Sequence, residues 1–145
     1  MHLRAGLSGL LTAMMLCGCA SSGTEGVFHV MAEMPVRPGM PRLLADDVHD
    51  AAIRSGRAVG WSDAADRAEA AVKLAFIWTE DDGTIAGRVR LACIWSAKGG
   101  RAGHVADGAA LPVQFWTQTR AAEAATRVTS ALLRDLATLG PAGGP

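Results

Sequence analysis

The chain has no tyrosine, only three cysteines in 145 residues, and no apolar run of the ~20 residues that a bilayer-spanning helix needs. Its apolar run from Ala5 to Leu16 is broken only by Gly, Ser and Thr and is too short to cross. Neither sign of charge is in excess, with 14 Lys and Arg against 14 Asp and Glu, which argues against a nucleic-acid binder or a strongly electrostatic membrane reader. Catalytic signatures are missing too. There is no Gly-x-Ser-x-Gly, no His-Glu-x-x-His, no Cys-x-x-Cys pair and no glycine-rich phosphate loop. His29, His49 and His104 stand far apart in sequence, near no Cys, Asp or Glu at metal-ligand spacing, and read as surface or rim histidines. Asp46, Asp47 and Asp50 suit the positive end of a helix dipole, and Glu80-Asp81-Asp82 reads as a turn without the alternating oxygen donors of a calcium loop. No catalytic residue, metal or cofactor is therefore expected. Trp61, Trp78, Trp95 and Trp116 read as packing anchors, with an exposed tryptophan cluster for glycan as the alternative.

What the chain does have begins with Leu16-Cys17-Gly18-Cys19, preceded by the basic start His2 and Arg4 and by the short apolar run. This is the layout of a secretory leader. A leucine three before Cys19 and a glycine just before it resemble the lipobox of bacterial lipoproteins. The resemblance implies cleavage between Gly18 and Cys19, diacylglycerol on the Cys19 sulfur and acylation of the new amine. Cys17 is a poorer acceptor, because Met14, Met15 and Leu16 put bulk where small groups are wanted. An ordinary leader cut near Ala20 is the alternative. Two or more acyl chains hold a protein stably on a bilayer. Ala20, rather than aspartate, follows the cysteine, which in enteric members of that family implies the outer membrane, facing the periplasm.

Cleavage would remove 18 residues and one basic group, Arg4, leaving 127 residues with 13 basic and 14 acidic side chains, enough for one domain. With Cys17 lost and Cys19 a thioether, Cys93 would stand alone, with no intramolecular disulfide possible, and reads as a small buried hydrophobe. Ser21 to Gly26 is a polar tether whose six residues span roughly 14 Å as a coil. Residues 27–139 form the domain, and the breaker run Gly140 to Pro145 is a tail outside it.

Inside the domain the sequence repeats itself at a spacing of 17. Val72-Lys73-Leu74-Ala75-Phe76-Ile77-Trp78-Thr79 is echoed by Val89-Arg90-Leu91-Ala92-Cys93-Ile94-Trp95-Ser96, and each copy runs into a turn closed by glycine, at Gly83 and at Gly99-Gly100. Two copies are too few for a solenoid, so the echo reads as successive strands of a meander. Centring the first turn between Asp81 and Asp82 pairs Trp78 with Ile85, Phe76 with Gly87, Leu74 with Val89 and Lys73 with Arg90. A one-residue slip would mix the faces and is rejected. The second turn, at Lys98-Gly99, pairs Trp95 with Ala102 and Cys93 with His104. Val72, Leu74, Phe76, Trp78, Ile85, Val89, Leu91, Cys93 and Trp95 then face the core. The opposite face carries Lys73, Arg88 and Arg90, either a solvated face with scattered basic groups or a weak site for an anionic glycolipid, a glycan or a partner protein.

Val27 to Met34 alternates as a strand. Pro41 suits a helix start, and Leu44, Val48, Ala51 and Ala52 give an apolar stripe up to Gly56. Arg57 to Trp61 reads as a short strand returning beside the first, and Ser62 to Ala71 as a short helix capped by Ser62 or as loop. Thr117 to Leu139 is the clearest helix, with Ala121, Ala125, Val128, Leu132, Leu136 and Leu139 at steps of three and four. Arg120, Arg127 and Arg134 form its wet stripe, with Glu123 and Arg127 as an i,i+4 pair.

The expected class is α+β: a two-layer sandwich with two helices on one face of a mostly antiparallel sheet of four or five strands, in the order β-α-β-β-β-β-α. As an element order over Val27 to Leu139 this resembles the lipoprotein of lipopolysaccharide assembly that plugs a β-barrel translocon, and the lipoprotein activators of penicillin-binding proteins. Trp95-x4-Gly100-x2-Gly103, then Trp116 and an Ala-rich helix, is similar to small lipoproteins of high-GC proteobacteria. The resemblances imply a lipid-anchored, non-enzymatic accessory or assembly subunit. It would dock an envelope protein, a barrel translocon or a wall synthase, or an envelope glycolipid, through the outer sheet face or an edge strand. The alternatives are a periplasmic ligand-binding or enzymatic domain acting on wall or lipid fragments, favoured by a deep polar pocket holding His29 or His104 beside an acid, and a structural lipoprotein without a specific ligand.

Overall fold

The computed structural model describes residues 26–32, 34, 44–80 and 87–138. The leader, Cys19, the tether as far as Glu25, Pro41, the turn residues 81–83, Ile85, Leu139 and the tail lie outside the described residues. The elements are β1 (Val27–Met31), α1 (Leu44–Ala58), β2 (Ser62–Asp63), β3 (Val72–Glu80), β4 (Arg88–Ala97), β5 (Ala102–Ala106), β6 (Leu111–Pro112) and α2 (Gln118–Thr138), with single 3-10 turns at Arg67–Glu69 and Val113–Phe115. The sheet runs β2-β1-β3-β4-β5, and β6 pairs with the start of β4. β1 is parallel to both β2 and β3, and the remaining ladders are antiparallel. This is the expected α+β sandwich, with six described strands instead of four or five.

Period-two alternation decides which face of the sheet is covered. In β3 the residues Val72, Leu74, Phe76 and Trp78 are buried while the intervening positions are part-exposed. Those side chains, with Phe28, Val30, Val89, Leu91 and Cys93, share one core with the apolar stripes of α1 and α2. Trp78 and Trp116 meet in it as a tilted pair, centroids 4.9 Å apart, and the Trp116 indole Nε1 donates to the Val89 carbonyl at 3.1 Å. Among the described residues, the other face of the sheet carries no helix.

α1 begins with Asp46 and Asp47 in its first turn and buries Leu44, Val48, Ala51, Ala52, Ser55 and Gly56. Gly56 lies against the Phe28 ring so closely that a Cβ there would fall 2.2 Å from the ring tip. The helix ends in a Schellman turn: Trp61 N–H donates to the Gly56 carbonyl and Gly60 N–H to that of Arg57, each at 3.0 Å, with Gly60 at φ +96°. The short strand expected at Arg57 to Trp61 is thus the end of a helix and its cap. Strand structure starts one residue later, at Ser62, which does not cap a helix; Asp66 caps the 3-10 turn by accepting from Ala68 N–H at 2.9 Å.

Both expected hairpin registers are corrected. In the first, Leu74 lies opposite Trp95, not Val89, and Lys73 opposite Ser96, not Arg90. The connection is six residues longer than a tight turn at Asp81-Asp82 allows. An even shift of six leaves each side chain on its own face, which is why the buried set survives. In the second, Trp95 lies opposite Gly103 and Cys93 opposite Val105. Here Gly99 and Gly100 both take positive φ, and Ala97 N–H donates to the Arg101 carbonyl across a three-residue loop, one residue longer than expected. His104 therefore turns outward beside Ile94. Gly103 lies under the Trp95 indole, whose atoms come within 2.7 Å of where a Cβ would sit.

Candidate functional site

β2 contributes only two residues to the sheet, and Ala64 N–H closes the pairing on the Phe28 carbonyl at 2.7 Å. Past Phe28, β1 has no strand beside it on that side among the described residues. α1 runs along the gap. Between them lies a cleft of about 430 Å³, walled by His29 and Val30 of β1, by His49, Asp50, Arg54 and Arg57 of α1, and by Asp63. A second depression continues from it along Val30 and Met31 to Ala45 and Asp46, sharing His29 and His49.

Half of the six polar side chains in the cleft are pinned. The His29 Nδ1 is 2.9 Å from the Ala64 carbonyl oxygen, so the tautomer with hydrogen on Nδ1 donates there and leaves Nε2 to face outward. Arg57 Nε donates to Asp63 Oδ1 at 2.6 Å, and that hydrogen bond is the main reason the Asp63 carboxyl sits below its usual pKa. His49 Nδ1 is 3.4 Å from Asp50 Oδ1, a loose and exposed contact. Arg54 is exposed and has no hydrogen-bond or ion-pair partner among the described residues. Two arginines balance two carboxylates, so the cleft is polar without a strong field. No Ser, Thr, Cys or Lys is among its described lining residues. That arrangement has the donors and acceptors to hydrogen-bond a polar segment.

The expected basic site is dispersed. Lys73 lies opposite Ser96 and beside His29 of β1. Arg90 is opposite Thr79, six positions and about 20 Å along the strands from Lys73. Arg90 also donates from Nη1 to the Asp107 carbonyl at 2.9 Å, and Arg88 sits opposite Pro112. Lys73 stands across β1 from the cleft, then, and the two arginines belong to the far end of the sheet.

A second arrangement escaped sequence reasoning. Asp107 is 4 % exposed, and both its carboxylate oxygens accept from Arg127, at 2.8 Å from Nε and 3.0 Å from Nη2, while Oδ2 also accepts from Ala109 N–H. Burial alone would raise the Asp107 pKa, but these donors outweigh it and hold the carboxyl below its ordinary range. The expected partner of Arg127 was Glu123; the ion pair that forms instead ties the β5–β6 loop to α2. Cys93 is buried, and desolvation pushes its thiol up to about 12. Among the described residues no group of three His, Cys, Asp or Glu could hold a metal ion, and no helix is long and apolar enough to cross a membrane.

No protein-family model and no curated protein matches the chain. Solved structures do. A Xanthomonas campestris protein of the DUF330 family model is 14 % identical, with TM-score 0.37 over 80 % of this chain and 85 % of that one. A minor lipoprotein of Acinetobacter baumannii is 12 % identical, with TM-score 0.33 over 83 % of this chain and 98 % of that one. The PelC dodecamer of Paraburkholderia phytofirmans is 14 % identical, with TM-score 0.52 over 77 % of this chain and 90 % of the PelC chain, a likeness of fold.

Proposed function

We propose that this chain is a lipid-anchored accessory subunit of the bacterial cell envelope that docks a protein partner and catalyses no reaction of its own. The anchor is Cys19, read from Leu16-Cys17-Gly18-Cys19. The observation that carries the docking role is the edge of β1, which has no strand beside it beyond Phe28 among the described residues and is bordered by the cleft. An extended segment laid along Val30 would continue the sheet by main-chain hydrogen bonds, while its side groups meet His29 and Arg54. A protein segment is favoured over a glycolipid because Lys73 is about 20 Å from Arg90, too far for one anionic headgroup.

A photo-crosslinking residue placed at Arg54 tests this in the envelope. The expected result is one defined adduct that is absent when the same residue stands at Ala137 on the exposed side of α2. Equal adducts at both positions, or none at 54, overturn it.

The fold likeness to PelC, described as a dodecamer, favours a second reading in which the partner is another copy of this chain. The sheet ends in β5 at one side and in the short β2 with open β1 at the other. Pairing one kind of edge with the other is a head-to-tail contact of the type that closes rings. Native mass spectrometry in detergent separates the readings: a ring supports the second and a monomer excludes it.

A further inference from the structure

We propose that the helix-free face of the sheet rests on the membrane, against the anionic phospholipid headgroups of the bilayer that holds the anchor. The proposal builds on the lipid-anchor reading and assigns that face a partner distinct from the one at the β1 edge. Three observations support it. First, the middle of this face carries apolar side chains where solvent-facing strands are ordinarily polar. Met31, Ala75 and Ile94 lie in one cross-strand row that ends in His104, with Ile77, the buried Ala92 and Ala106 in the next. Ile94 is 48 % exposed, one of two exposed large hydrophobic residues described.

Second, the charge on this face has one sign. Lys73 stands at one end of the apolar rows and Arg88 and Arg90 at the other, and no outward position of β1, β3, β4 or β5 is Asp or Glu. Long basic side chains can keep their heads among headgroups while their stems cover apolar surface. Small residues between them let a flat surface come close. Third, Cys19 stands eight positions before Val27, which allows at most ~29 Å of extended chain. Since β1 belongs to this sheet, the anchor would hold the face within reach of the lipid, and α1, α2 and the cleft would point away from or along the bilayer.

The test uses the full lipidated chain in phosphatidylglycerol–phosphatidylcholine vesicles, with a fluorophore on Ile94→Cys, on Ser96→Cys as a second outward position, or on Ala137→Cys of α2. Headgroup-spin-labelled lipid should quench the probes at 94 and 96 severalfold more than the probe at 137. Lys73→Glu, or vesicles of phosphatidylcholine alone, should erase most of that difference. Equal quenching at the three positions, or stronger quenching at 137, overturns the proposal. Mass analysis of residue 19 separates the two readings. If Cys19 carries no lipid, the anchor reading fails, and the face is judged by sedimentation of the same chain with anionic vesicles. Binding that Lys73→Glu weakens on the order of tenfold supports it, and no binding refutes it.

Discussion

Replacing Arg127 with alanine tests the ion pair that ties the β5–β6 loop to α2. The Asp107 side chain is 3 % exposed and that of Arg127 is 55 % exposed. Truncating Arg127 strips two hydrogen bonds from a buried carboxylate and leaves it the Ala109 N–H. Breaking a buried pair from one side costs roughly 3–5 kcal/mol. Because Arg127 is half in solvent, water can replace part of it, and a loss of about 2–3 kcal/mol is expected. In a domain of this size that lowers the melting temperature by roughly 8–12 °C. Asp107→Asn, which keeps the shape and drops the charge, should cost less, and the double variant should cost clearly less than the two singles combined. The pH dependence has a definite sign. The folded Asp107 pKa lies below its unfolded value, so the stabilisation is present above about pH 4 and is lost as pH falls through the folded value. Thermal melts of the four proteins between pH 7 and pH 3 measure all of this. A loss under about 0.5 kcal/mol in Arg127→Ala, or strict additivity in the cycle, refutes the account.

Three further outcomes follow from packing. Gly56→Ala drives a Cβ into the buried ring of Phe28, and since that ring is enclosed on all sides the cost should be at least 1–3 kcal/mol, seen as a lower denaturant midpoint. Gly103→Ala should displace the Trp95 indole, changing the near-ultraviolet circular dichroism before the melting point moves far. Cys93 should resist alkylation at pH 8 in the folded chain and react on denaturation, followed by mass mapping of its peptide; equal labelling in both states would contradict a thiol pushed up to about 12.

Face was readable from the chain and register was not, for a physical reason. Alternation of Val72, Leu74, Phe76 and Trp78 with polar or smaller neighbours specifies which side chains enter the core, and it forbids odd slips alone. The first hairpin is offset by six, an error alternation cannot detect. The second is offset by one because two successive glycines at positive φ allow a longer loop than the hydrophobic pattern implies. The stripe of α2 was legible because it repeats every three to four residues. The Asp107–Arg127 pair was not, since 20 residues separate its partners and Glu123 offered a nearer one. The cleft was equally hidden. His29 and Ala64 are 35 residues apart, and nothing in the spacing of His29 and His49 indicates that a parallel return through β2 brings them to one wall.

The contact between Phe28 and Gly56 bears on more than helix packing. With an aromatic ring filling the hollow where a side chain would otherwise be, α1 cannot roll about its own axis without pushing its backbone into that ring. The flank bearing His49, Arg54 and Arg57 is thereby kept at a constant azimuth relative to β1. An incoming strand would meet a wall already in place, so little ordering of the receptor would be needed on encounter.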